Sequence, residues 1–340
     1  MRTLKILLCA LILSVVPAAS GTTGKTDLYG GIGRGSPLNP GALITVDQDT
    51  GTGAFVGHPD SLPGLTGLVF DTSGALYGTT ISGPLGTGRF SELVRIDPRT
   101  GAQIGPAVPI TADNQPISIT DLALRPSSNT LYGTSLGEDD FTNSIYSINP
   151  ATGVATLIGN TGVIGATLAF GPDGTLYQTS AVFDEAGFVA GYLNTLDPDT
   201  GAVLTTSYPF TQRHVGGLEV RPTDGVIFAS GGDEGSIWTL SPTGTQTFVG
   251  PTSAGGVGDL AFTPLPTSKD QCKTAAGRPS TTRRSRIRVS ARSTSRSTSR
   301  TVATTTVATI TGITRPLHSA ARPNGRGPGN GASSVTDLGS

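Results

Sequence analysis

Residues 168–180 read Leu-Ala-Phe-Gly-Pro-Asp-Gly-Thr-Leu-Tyr-Gln-Thr-Ser. Two short pieces that alternate large apolar with small or polar residues flank a Gly-Pro-Asp-Gly turn. Alternation with period two is the mark of a strand, and the turn residues supply the fixed φ of Pro and the left-handed φ of Gly that close a hairpin. The unit recurs along the chain. Its first piece returns as GLVF at 67–70, DLAL at 121–124, GLEV at 217–220 and DLAF at 259–262. Its second piece returns as LYGG at 28–31, LYGTT at 76–80, LYGTS at 131–135 and VIFAS at 226–230.

Two further pieces follow in each unit. The third is LITVD at 43–47, LVRID at 93–97, IYSIN at 145–149, LNTLD at 193–197 and IWTLS at 237–241. After a turn such as DPRTG, NPATG or DPDTG comes the fourth, GAFVG at 53–57, AQIGP at 102–106, VATLIG at 154–159, AVLTT at 202–206 and TQTFVG at 245–250. A four-stranded unit repeated about every 50 residues, with no helical periodicity, predicts a β-propeller. Each strand type occurs five times, so five blades are expected. The chain enters the array on a second strand, at Leu28, and leaves it on a first strand, Leu260-Ala261-Phe262. The C-terminal strand is therefore expected to complete the N-terminal blade and close the ring, which removes exposed sheet edges. The fold class is all-β, with the propeller over residues 25–264.

Composition agrees with many short strands and tight turns, with 48 Gly and 24 Pro in 340 residues and 14% charged residues. The net charge of −1 conceals an asymmetry: residues 25–264 carry 8 basic against 22 acidic side chains, and residues 265–340 carry 13 against 2. Arg2 and Lys5 precede an apolar run, Ile6 to Val16, that ends in Pro17-Ala18-Ala19-Ser20-Gly21. That is the pattern of a secretory signal peptide over residues 1–20, too short for a membrane-spanning helix. Export is therefore expected, to the cell surface, periplasm or medium. Cys272 then remains as the single cysteine, so the propeller has no internal disulfide.

The motifs GPDGTLYQTS and IYSINPATG resemble the repeats of secreted bacterial propellers in the broad NHL, YVTN and gluconolactonase-like group. The resemblance covers about 240 residues and rests on turn and packing positions, so it implies fold rather than activity. Gluconolactonase-like propellers hold a divalent metal at one channel mouth, and the repeat register brings carboxylates toward one mouth here. Asp121 and Asp259 begin first strands and Glu219 lies within one. Glu138-Asp139-Asp140, Asp184-Glu185 and Asp233-Glu234 lie in second-to-third loops, whose length varies and which share that face. These ten residues are the candidate metal or ligand site, with Ca²⁺ as the candidate cation. The competing reading is structural: loop carboxylates are solvated, and Asp at a strand start accepts backbone N–H groups.

No zinc spacing, phosphate-binding loop or serine elbow is present, so no catalytic residue is assigned. His58 and His214 lie in blade-to-blade connections of non-neighbouring blades. The gluconolactonase-like ligand set would include Asn, and Asn143 is nearly alone in that role. The function expected is a non-catalytic exported binding module for an extracellular ligand or protein, monomeric and without specific nucleic-acid binding. The alternative is a propeller hydrolase of the lactonase or glycosidase type.

Beyond residue 265 the sequence turns to Ser, Thr, Arg and Gly and is expected to be disordered. Three readings stand: a basic arm for anionic polymers, an arm drawn to the acidic propeller, or an out-of-frame segment. In the third, a one-base slip converts residues 273–280 to Lys-Asp-Gly-Gly-Trp-Lys-Ala-Phe. That string, after Gln271-Cys272, resembles a segment found near the ends of secreted bacterial proteins.

Overall fold

The computed structural model describes residues 26–59, 62–82, 90–136, 142–185, 187–212, 215–232 and 235–266. The expected signal peptide and tail, and with them Glu138, Asp139, Asp140, Asp233, Glu234 and His214, lie outside the described residues. No helix in the described residues is long and apolar enough to cross a membrane.

The regular elements are all strands, and twenty of them form five four-stranded antiparallel sheets. Blade one comprises β1 (Leu28–Ile32), β2 (Leu43–Val46) and β3 (Gly53–Gly57), and its inner position is filled by β22 (Val257–Phe262). Blade two runs β4 (Gly67–Phe70), β5 (Leu76–Ser82), β6 (Phe90–Ile96) and β7 (Val108–Pro109). A two-stranded ribbon follows, β8 (Thr111–Ala112) with β9 (Gln115–Pro116). Blade three is β10 (Asp121–Arg125), β11 (Thr130–Leu136), β12 (Asn143–Ile148) and β13 (Ala155–Asn160). Blade four is β14 (Gly165–Phe170), β15 (Leu176–Asp184), β16 (Gly187–Leu196) and β17 (Val203–Thr206). Blade five is β18 (Val215–Val220), β19 (Ile227–Gly231), β20 (Ser236–Leu240) and β21 (Gln246–Pro251).

The inner strands touch in the order β22, β4, β10, β14, β18 and back to β22, which is a closed ring. Closure takes the expected form: Leu28 pairs with Phe262, Tyr29 with Ala261 and Gly30 with Leu260. One strand departs from expectation. The fourth strand of blade two was placed at 102–106 but forms at Val108–Pro109, with an isolated bridge from Gln103 to Ile96. Gly105 takes a φ of +74° and Pro106 lacks an N–H, so the ladder breaks between them.

Five apolar clusters fill the five blade-to-blade interfaces. The repeated Tyr of LYG and the Phe that ends a first strand explain three of them, as edge-to-face pairs. These pairs are Tyr29–Phe70 and Tyr132–Phe170, with Phe228–Phe262 at the closure. At the rim, the Gly that ends a fourth strand packs on the Thr-Gly turn of the next blade. A Cβ on Gly57 would stand 1.8 Å from the Thr100 carbonyl, and one on Gly159 or Gly250 would stand 1.9 Å from that of Thr200 or Thr50. The Asp-x-x-Thr-Gly signature thus serves both the turn and the neighbouring blade.

Candidate functional site

The first strands present one residue each at the same level of the channel, Gly67, Asp121, Thr167, Gly217 and Asp259. As innermost strands they have one edge without a ladder partner, so their inward N–H groups need acceptors. Two aspartates supply them. Asp121 accepts the N–H of Leu122 on Oδ1 and of Leu168, in blade four, on Oδ2, both at 2.7 Å. Asp259 accepts the N–H of Leu260 at 2.7 Å on Oδ1 and that of Leu68, in blade two, on Oδ2. Each carboxyl group therefore ties its own blade to the next, and four of the five equivalent amides are satisfied.

Blade two lies between blades one and three but offers only Gly67 at this level. With no side chain there, Asp121 and Asp259 come close enough for each to bear on the other's ionisation. Both are fully buried. Burial is the main cause that pushes Asp121 up to about 7, opposed by its hydrogen bonds, and it holds Asp259 well above the usual carboxylate range. Glu219 lies two residues further along its strand than Gly217 and is half-buried. Its pKa is also raised well above normal, chiefly by desolvation and then by the charge of Asp121, opposed by the nearby Phe262 N–H.

Of the ten candidate residues, the fold thus brings Asp121 and Asp259 into contact and leaves Glu219 a step away. Asp184 and Glu185 are exposed at the tip of the β15–β16 hairpin. Among the described residues no three His, Cys, Asp or Glu side chains converge in a way that could hold a metal ion. His58 sets its ring nitrogens 2.5 and 2.6 Å from the carbonyl oxygens of Pro59 and Pro40. Asn143, fully buried, accepts the Gly165 N–H and donates to Thr134 Oγ1 at 3.0 Å.

Blade four departs from the other blades. Where blades one, two and three place Gly30, Gly78 and Gly133 in the second strand, a large apolar residue from just before the first strand covers the glycine. Val257, Leu65 and Ile119 lie 3.2, 3.0 and 3.0 Å from where a Cβ would be. Blade five follows suit with Val215 and Ala229. In blade four the sizes are exchanged: Gly165 stands in the apolar position, and the amide of Gln178 fills its space, 3.0 Å from a Cβ on Gly165. Gln178 is fully buried, and among the described residues neither atom of its amide has a hydrogen-bond partner.

On the same blade the β15–β16 ladder continues to Asp184–Gly187, giving strands of 9 and 10 residues. Its apolar residues, including Phe183 and Phe188, border a cavity of about 270 Å³ at the channel mouth. Phe210 seals its base through a two-way backbone contact with Gly191, at 2.8 and 3.0 Å. The residues of this cavity were not among the sequence candidates. The signal for them was present in LYQ replacing LYG and in the alternation that runs on past Ser180.

No family model and no curated protein matches the chain, so its resemblance to the NHL, YVTN and gluconolactonase-like group stands on its repeat motifs. Solved structures do match. A nidogen/laminin complex aligns at 13% identity over 70% of this chain and 98% of that one, with a TM-score of 0.46. A putative 6-phosphogluconolactonase from Bacteroides uniformis aligns at 15% identity over 71% and 84%, with a TM-score of 0.40. The PQQ-bound aldose sugar dehydrogenase of Streptomyces coelicolor aligns at 13% identity over 66% and 79%, with a TM-score of 0.41. The closed ring of five four-stranded sheets defines the class as a five-bladed β-propeller. That architecture hosts both enzymes and binding proteins, so it does not by itself decide the activity.

Proposed function

We propose that the chain is an exported, non-catalytic propeller that acts as a binding module through the face bearing its second-to-third loops. The observation that carries this reading is the departure of blade four from the repeat. Positions that serve the ring recur from blade to blade. An exchange that leaves the Gln178 amide buried without a partner costs stability, and its presence beside the longest hairpin is the kind of local violation found at functional sites. The channel carboxyls support the same reading from the other side. All four oxygens of Asp121 and Asp259 accept backbone N–H groups, so both residues are engaged in holding blades together.

The test is a variant in which residues 182–190 are replaced by an Asn-Gly turn. Binding to a panel of soluble glycans and peptides should be present in the parent and lost in the variant, with the melting temperature nearly unchanged. Turnover of chromogenic lactones, esters or glycosides by the parent, abolished by Asp121→Asn, would replace this reading with that of a hydrolase. A Ca²⁺-dependent rise in melting temperature, reversed by chelator and lost in Asp259→Asn, would put a cation at the channel.

A further inference from the structure

We infer that the cavity beside the β15–β16 hairpin is the ligand site, and that it takes an uncharged molecule of one or two rings with an apolar face. The inference rests on the binding-module reading and gives that reading a location and a ligand chemistry. The walls set the chemistry. Phe183 and Phe188 stand edge-to-face, with centroids 6.0 Å apart and planes at 79°, and Phe210 closes the base. Phe183 is 51% exposed, unusual for a phenylalanine that lines a cavity, and Ile164 beside it is 38% exposed. An apolar ligand would cover this surface and gain the free energy of its removal from water.

Gly216 and Gly232 also line the cavity, and Thr179, Ser180 and Gln212 add polar groups. Such groups can orient a polar edge of a ligand while the rings hold its apolar face. Among the described residues no charged side chain lines the cavity. An ionised ligand would lose hydration there without gaining a counter-charge, so the site discriminates in favour of neutral molecules. A volume of about 270 Å³ lies near the small end of ligand pockets, which limits the ligand to one or two rings.

Gly35, from the β1–β2 connection of blade one, completes the rim across the mouth. A Cβ there would meet nothing within 4 Å. This position allows the cavity to be blocked without disturbing the ring, which makes the inference testable with the ligand unknown.

The probe is the neutral two-ring fluorophore 6-propionyl-2-(dimethylamino)naphthalene, titrated into the full chain and followed by its emission. Saturable binding at one site per chain is expected. Gly35→Phe should weaken it at least tenfold and Phe183→Ala several-fold, while Phe55→Ala, which removes an equally exposed ring on β3, should leave it unchanged. The anionic two-ring 5-(dimethylamino)naphthalene-1-sulfonate should bind at least tenfold more weakly than the neutral probe. Absence of saturable binding, equal binding by Gly35→Phe, or a preference for the anion would each overturn the inference. Loss of glycan or peptide binding in the shortened-hairpin variant, together with no probe binding in the parent, would keep the module and refute this cavity.

Discussion

Blades three and four are built from the same repeat and lie side by side, yet they use it differently. In blade three the glycine of LYG lies under Ile119, and Asp121 clasps the inner edge of its neighbour. In blade four Thr167 stands at the aspartate position, Gln178 replaces the glycine, Gly165 replaces the large apolar residue, and the second and third strands run on beyond the channel mouth. The difference teaches which positions belong to the ring. Residues that recur from blade to blade make turns and interfaces, whereas the departures of blade four lie beside one cavity.

The contrast can be broken at several points. Deleting Val257–Phe262 removes the closing strand and its Asp259 clasp, and cooperative thermal unfolding should disappear, whereas a chain ending at Pro266 should melt like the parent. Comparable melting of the two truncations would mean that the ring is not closed by β22. Next in size, Asp259→Ala leaves the Leu68 and Leu260 amides without their acceptor. Denaturant unfolding should register a loss of about 2–5 kcal/mol. A loss below about 0.5 kcal/mol, the usual range of a surface change, would dismiss the clasp.

The clasp also sets a pH dependence. Because Asp121, Asp259 and Glu219 have raised pKa values, the folded chain retains protons that the unfolded chain has released. Stability should therefore fall as pH rises from the ordinary carboxylate range to about 7. Asp97 and Asp173, held low by backbone N–H groups of their turns, and Asp224, held low by Arg221, act in the opposite sense in acid. Their contribution is lost as pH falls through their lowered values. Melting temperature against pH should peak on the acid side of neutrality, and Asp121→Asn should flatten the descending limb. An unchanged limb in that variant would show that another group titrates.

Smaller effects test the exchange in blade four. Gly165→Val alone should clash with Gln178, and Gln178→Gly alone should leave a cavity. The double variant restores the pattern of blades one to three and should recover stability, with a coupling energy of about 1–3 kcal/mol in a double-mutant cycle. Additive effects would show that the two positions do not compensate. Smallest of all, Phe183→Ala at the exposed hairpin should shift stability by no more than about 0.5 kcal/mol.

Much of the architecture was legible in the sequence because a propeller writes its local rules five times. Strand alternation, Pro and Gly in the turns, and the mismatch between entry at Leu28 and exit at Phe262 depend on neighbours in the chain. The broken fourth strand of blade two was harder to place, since Gly105 and Pro106 allow the chain to rejoin the sheet only at Val108. The carboxylates of Asp121, Asp259 and Glu219 were legible as residues of the channel. Their roles were not, because inner-edge amides acquire their need for acceptors only when the strands face one another around a ring.

By itself, then, the sequence determined the strands of the repeat, apart from the fourth of blade two, and the number of blades, since those follow from alternation and turn chemistry over a few residues. Tertiary structure alone decided that Asp121 and Asp259 hold the inner-edge amides of neighbouring blades, at Leu168 and Leu68. It also assembled one cavity from Gly35, Ile164, Phe183, Phe188 and Phe210. Both are contacts between residues far apart in the chain, fixed only when the ring closes and each blade's faces meet those of its neighbours.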